Sequence, residues 1–417
     1  MRKLSLASIL PILLLLAVAT NAQNQQQQNV KDFVLYSAKD LKLNEQIKIT
    51  GNGNLGSKKN VILKRESNIT ANIFSLEKID LDKESTFIGN ITANNFSNAT
   101  DDILKGDKSI KITGNLLING KIKINPSGSS VIGSVKQSIG SSYAGPSPTG
   151  GITNGVLSLP IMPALPIVNS FTVGTANING TQTITPGAYR DVVLDKDQTL
   201  TLKGVGTYIF KSLTNKGTDN IKIKFDFNNS ATGQIRIFVE GKIELKNVTA
   251  STINGGSANR IYTEIHYKNN VINSIDDDED DVKNAFFLAS GNGVNKCIWL
   301  GTVWAPYGKI KIKSAGSTTT KLEGALWSGD KIYIEKNAEI IYAPLIFDPN
   351  NISPYYAPPE TGKTPNLIGS ELTQLSTNTG AISSIPNNNI FFIENNKVII
   401  EVIAEPGQYA ALLAYLQ

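Results

Sequence analysis

One cysteine and one histidine, Cys297 and His266, are all that 417 residues contain of either type. A single cysteine excludes an intrachain disulfide, so stability has to come from backbone pairing and a packed core. A single histidine excludes a His-based metal cluster, and any Ser-His-Asp arrangement would depend on His266 alone. The GxSxG elbow, the GxxxxGK(S/T) phosphate loop and HExxH are all missing. The net charge is only +5, and it falls by two when Arg2 and Lys3 leave with the leader. No basic block of five or more residues occurs, which argues against a nucleic-acid partner. After the leader no apolar run reaches the roughly 18 residues that a membrane span requires. Between Val30 and Pro344 no stretch shows the 3.6-residue period of a helix.

What is present begins with MRKLSLASILPILLLLAVATNAQ. Two cations precede an apolar run from Leu4 to Ala19, and Thr20-Asn21-Ala22 offers small residues for cleavage. Residues 1–22 read as a secretory leader, and the mature chain is expected to be secreted or displayed at the cell surface. Gln23 rather than Cys follows the expected cut, so there is no lipid anchor at that point.

Beyond the leader the chain repeats itself. GTVWAPYGKIKIKSAG is answered 23 residues later by GALWSGDKIYIEKNAE, pairing Gly301 with Gly324 and Trp304 with Trp327. NITAN recurs at an offset of 22, IKITGN at 63, and KRES returns as DKES at 18. A drifting period near 20 residues marks a solenoid. Within each repeat the residues alternate, as in Lys309-Ile310-Lys311-Ile312-Lys313, which gives short half-buried strands separated by Gly, Asn, Asp and Ser turns. Stacked coils at about 4.8 Å explain why positions repeat while letters drift. The expected fold is therefore all-β, a parallel β-helix in two stacked or linked halves, with a short α+β C-terminal segment.

The expected boundaries are an N-terminal solenoid over 30–125 and a Ser/Gly/Pro-rich linker over 126–170. A second solenoid over 171–346 follows, then a Pro/Asn-rich linker over 347–386. Residues 387–417 read as two strands (390–393 and 397–404) and a helix from about Pro406, either a cap or the start of a further domain. Offsets of 22 and 23, taken as coil returns, place Asn68 beside Asn90 and Gly301 beside Gly324. Ile310 and Ile332 should then stack inside, with Lys309 and Lys331 outside.

The second half, from TITPGAYRDVVLDKDQTLTLKGVGTYIF through GTVWAPYGKIKI to GALWSGDKIYIEKNAEIIYAP, resembles the bacterial choice-of-anchor A type of surface domain. It is more distantly similar to the ice-binding-like β-solenoid family, although the long helix of that family has no counterpart here. The first half looks like the same kind of solenoid and is similar to bactofilin-like repeats. These resemblances imply an extracellular β-helix used for surface structure or adhesion, without catalytic residues.

Candidate sites are few. Asp276, Asp278 and Asp280 in IDDDEDD could cage Ca²⁺, the only cofactor suggested, although the EF-hand glycine and distal glutamate are missing and a solvated loop is the plainer reading. Trp304 and Trp327 are candidates for an inward stack, or else for a carbohydrate platform. His266 reads as a strand-edge residue and Cys297 as a buried structural thiol. Arg190, Arg236 and Arg260 are scattered, and nothing in their spacing forces Glu240, Glu244 and Glu264 together. The threonines of TQTIT, TLTLKG and STTTK could form an array, but lysines interrupt the strands between them. The function expected is that of a non-enzymatic surface structural or adhesion module, with an extracellular glycan or cell-surface component as partner. A carbohydrate-active β-helix enzyme of lyase or glycosidase type, or an ice-binding protein, is the alternative.

Overall fold

The computed structural model describes residues 28–94, 102–168, 170–217, 220–268, 284–291 and 297–349, and the backbone of 390–394 and 397–401. Residues up to 356 form one compact unit and the remainder a second. In the second unit Ile390–Glu394 and Lys397–Glu401 pair antiparallel, close to the two strands expected there. The leader and the expected helix from Pro406 lie outside the described residues.

The first unit is a parallel β-helix with three faces. Its first coil runs Phe33–Ser37 on face I, Leu41–Leu43 on face II and Lys48–Thr50 on face III. Each strand is only two to nine residues long because a turn interrupts the alternation before more can accumulate. Leu41, Val61 and Ile79 stack on face II, followed by Leu104 and Ile122, and all five are buried. Among the described residues face II contains thirteen strands, which at ~4.8 Å per rung gives a stack about 58 Å long. Faces I and III share one sheet because Cys297–Ala305 and Thr320–Ser328 each run round the corner between them.

Chain order and stacking order differ. The first half starts in the middle of the stack and winds outward to Ile152–Asn154. The chain then returns along the whole length to Ile178 and winds back toward the middle. There the strands ending in Ser328, Ile334 and Tyr342 pair with the first coil: Leu326 with Leu35, Ile332 with Leu41, Ile340 with Ile49. The two halves are therefore one continuous ladder with no covalent link at the junction.

The repeat at 301 and 324 is a coil return as read from the sequence, with Gly301 opposite Gly324, Trp304 opposite Trp327 and Ile310 opposite Ile332. A Cβ on Gly324, whose φ is +152°, would lie 2.0 Å from the Gly301 carbonyl oxygen, so the corner admits only glycine. IKITGN also repeats as read. Ile49, Ile69, Phe87 and Ile112 are successive neighbours, at offsets of 20, 18 and 25. KRES and DKES share a corner where Glu66 and Glu84 adopt φ of 58° and 60°. The NITAN repeat misleads: Asn68 lies beside Thr86, and Asn90 follows Asn72 in an asparagine ladder. In that ladder Asn72 Nδ2 donates to Asn54 at 3.1 Å, and the Asn90 and Asn115 amides each donate to the side chain one rung back at 2.9 Å.

The stretch 126–170 also departs from the linker expectation. Ser130–Ile132, Val135–Gln137, Tyr143–Ala144 and Ile152–Asn154 are rungs of the first half, paired with the coils before them. Glycine and serine serve there as corner residues rather than as flexible chain. Only the segment after Gly155 leaves the stack. Its 23 steps to Ile178 can reach about 75 Å, enough to run the full length of the solenoid.

Ile332 lies between Ile310 and Leu41 and is fully buried. An uncompensated carboxylate there costs several kcal/mol. Ile332→Asp is therefore expected to open the junction, lowering the melting midpoint and splitting a single thermal transition into two by circular dichroism. Gly324→Ala should lower the midpoint without splitting it.

Candidate functional site

Three outer walls are available to a ligand, and they differ in what covers them. Outward residues of face I form a column running Ala188, Ile209, Phe238, Glu264, Trp304, Trp327 and Tyr36. The return segment lies over this column and seals it into a second apolar cluster with Met162, Leu165, Val168 and Phe171. Tyr36 fixes the segment by donating its hydroxyl to the Pro163 carbonyl at 2.9 Å, and the Trp327 indole N–H donates to the Phe33 carbonyl at 2.9 Å. The two tryptophans are thus stacked one coil apart and buried, as expected, but on the outer side of the wall. Val303 and Leu326 point inward in their place. Neither indole is open to a sugar.

The same cover explains His266 and Glu264. Glu264 is 1% exposed, accepts the Tyr262 hydroxyl at 2.9 Å, and lies 2.5 Å from His266 Nε2. Phe171 of the return segment packs on the imidazole, with ring centroids 4.5 Å apart. Burial first, and then the Glu264 carboxylate, hold the Tyr262 phenol well above its ordinary range. This trio sits beneath the cover as packing.

The remaining sequence candidates do not converge. Glu244 is on face II between Lys242 (2.6 Å) and Lys246 (3.8 Å), and Glu240 is exposed at a corner. Arg260 donates to the Gly233 and Ser230 carbonyls and lies over Phe227, while Arg190 pairs with Asp191. Cys297 is buried, and desolvation pushes its thiol up to about 12. Asp276, Asp278 and Asp280 fall outside the described residues.

Face III holds the threonines. Thr183 lies beside Thr201 and the Thr181 hydroxyl accepts the Thr199 amide, but Lys222 and Lys224 end the patch at the next rung. Thr318 and Thr320 of STTTK bond to Ser290 and Ser314 instead of joining an array.

Face II is the wall with clefts along it. Its outward column runs Lys311, Tyr333, Lys42, Ile62, Asp80, Lys105 and Lys123. Lys42, Lys311 and Lys309 place their ammonium groups 5.1, 5.4 and 5.8 Å from the Tyr333 ring centroid. Asn44 donates to the Tyr333 hydroxyl at 2.8 Å, and Lys311 pairs with Glu335 at 3.3 Å. Asn44, Lys311, Tyr333 and Glu335, with Lys313, line a polar cleft of about 450 Å³. The lysines point outward as the alternation predicts, yet Lys309 and Lys311 are 6% and 1% exposed, so they are not solvated rows. Further along the same face a cleft of about 710 Å³ is lined by Asp80, Asp102, Lys105, Asp107 and Lys123. The sequence showed the lysine periodicity but not this grouping, because Asp80, Lys105 and Lys123 become neighbours only through stacking.

No family model matches the chain, and no curated protein matches it. Among solved structures, an ice-binding protein from an Antarctic Flavobacteriaceae bacterium is 13% identical, with 76% of this chain and 97% of that one covered and a TM-score of 0.25. A tapirin C-terminal domain from Caldicellulosiruptor kristjanssonii is 11% identical over 76% of this chain and 94% of its own, with a TM-score of 0.21. A possible adhesin C-terminal domain from Caldicellulosiruptor kronotskyensis is 10% identical, covering 84% and 97%, with a TM-score of 0.20. The strand pairing, rather than these likenesses, defines the fold.

Trp327→Ala should cost about 3–5 kcal/mol by removing a filled aromatic position from the covered wall, measured by denaturant titration. Cys297 should resist Ellman's reagent at pH 8 until the protein unfolds. The thiol is raised from 9.0 to about 12 in the folded chain. Between those values the unfolded state releases a proton that the folded state keeps, so stability should fall as pH rises through that window.

Proposed function

We propose that the chain is a non-enzymatic surface structural or adhesion module of an exported bacterial protein, and that face II is its contact surface. The observation behind this reading is the outward column of face II from Ile62 to Lys123, where Asp80, Lys105 and Lys123 are exposed on successive rungs beside a cleft. A ladder of this kind presents charges at about 4.8 Å intervals on a stiff support. That suits weak, repeated contacts with an extended anionic glycan, in which many screened interactions add up. Export rests on the leader sequence at 1–22. Among the described residues no helix is long and apolar enough to cross a membrane.

A second reading is favoured by one observation. Asp80, Asp102 and Asp107 share the larger cleft with Lys105 and Lys123, a set of groups that a polysaccharide-cleaving enzyme could use. Asp102 is half-buried and the other four are exposed, so the cleft offers little desolvation with which to tune an acid or base.

Immobilised uronic-acid and sulfated glycans should retain the protein at low salt and release it as salt rises. Lys105→Glu with Lys123→Glu should lower retention at least tenfold. Turnover of any tested polysaccharide, abolished by Asp80→Asn or Asp102→Asn, would replace the adhesion reading with the enzymatic one. No retention on any glycan or cell surface would remove face II from the account.

A further inference from the structure

No charged residue and no histidine occurs between Gln137 and Tyr189, although 18% of the chain is Asp, Glu, Lys or Arg. At that average about nine would fall in this span. The span builds Tyr143–Ala144 and Ile152–Asn154 at one end of the stack, and Ile178–Asn179, Gln182–Ile184 and Gly187–Ala188 at the other. At the first end Tyr143–Ala144 and Ile152–Asn154 each have a strand neighbour on one side only, while the edge of Ser130–Ile132 is taken in part by the Thr149 amide, which donates to the Val131 carbonyl at 3.2 Å. Exposed strand edges are normally blunted by lysine, proline or a covering segment, because a bare edge recruits another edge. Here the terminal strands carry no charge, and the nearest ones are on the rung before, Lys123 beside Ala144 and Lys136 beside Thr153.

The core itself is open at this end. Ile152 continues the inward column of Ile91, Leu116 and Val135, yet it is 47% exposed while the other three are buried. Ile132, Ile139 and Val156 around it are 54, 74 and 84% exposed. A groove of about 340 Å³ runs between Ile139 and Val156, floored by Asn94, Asn119 and Leu159. At the opposite end of the stack the inward Ile178 and Ile184 are only 4% and 6% exposed. One end is therefore closed and the other is not.

We propose that the open end docks on the open end of a second copy of this chain, giving a two-fold, end-to-end dimer. The chain already contains an edge-to-edge junction, where the coil ending at Tyr342 meets the coil starting at Phe33 through parallel backbone pairing and matched isoleucines, together with ion pairs such as Lys48–Glu339 and Lys39–Asp330. An uncharged edge is compatible with its own copy, since no like charges are brought together. Because the opposite end is closed, the contact is isologous and the assembly stops at two.

The full chain, studied by light scattering after size exclusion, should have twice the protomer mass at micromolar concentration. Ile139→Glu lies in a turn at 74% exposure and should give a folded monomer whose melting midpoint no longer depends on protein concentration. Ile152→Lys should also give a monomer. Ile88→Lys, an exposed apolar position on face III away from the terminal rungs, should leave the dimer intact. A wild-type monomer at about 100 μM overturns the proposal. So does a series of ever larger species, which would mean head-to-tail stacking, or a dimer indifferent to Ile139→Glu. A monomer that dimerises only after residues 357–417 are removed would assign the open end to the chain's own C-terminal unit, and would also overturn it.

Discussion

Register between successive rungs is the constraint on which this molecule depends. In a parallel ladder a slip of one residue would turn every inward isoleucine toward water and every lysine inward. The slip is resisted at the corners, by Gly301 and Gly324 where no side chain fits, and by the asparagine ladder where each side chain bonds the rung beside it. With register held, coil length is free to vary. Face II neighbours are separated by 18 residues at Val61 and Ile79 and by 43 at Ile243 and Phe286 without breaking the stack. Insertions are confined to turns, and the core does not register them.

A second apolar layer follows from the return of the chain. Once the first half has wound to one end, the polypeptide must travel back, and it does so over face I. That wall is aromatic because it is an interior. Phe33, Tyr36, Phe238, Tyr262, Trp304 and Trp327 pack beneath the return segment as they would in any core. Face I is thereby removed from contact with a partner, which leaves faces II and III and the two ends as the surfaces that meet the outside.

The solenoid was legible in the sequence because its signals are local: alternation inside each strand and glycine at fixed corners. The match of 301 with 324 and of 47 with 110 is a direct imprint of stacking. Four features were not legible. NITAN repeats by letter but not by position, since asparagine at a turn and isoleucine in a strand recur in every coil. Trp304 was read as inward because Val303 beside it is equally apolar, and period-two patterning fails where both sides of a wall are buried. The rungs after Pro126 resemble a linker because terminal coils built from serine and glycine share the composition of flexible chain. The face II clefts assemble residues dozens of positions apart, and only the coil lengths, which sequence does not print, bring them together.

The order of the stack is a permutation of the order of synthesis. Lys48 and Glu339 pair at 3.2 Å although 291 residues separate them. The first coil therefore has one bare edge until nearly the whole solenoid has been made. Contacts of such separation carry a high loop-closure cost before they are rewarded, and folds dominated by them form slowly. The first half can wind as soon as it emerges, each coil templating the next, but its starting edge remains an unsatisfied template. A neighbouring chain in the same state presents an identical edge. The window between the two events is when swapped or misjoined assemblies would arise, so the rate at which the second half closes on the first governs yield as much as the depth of the final energy minimum.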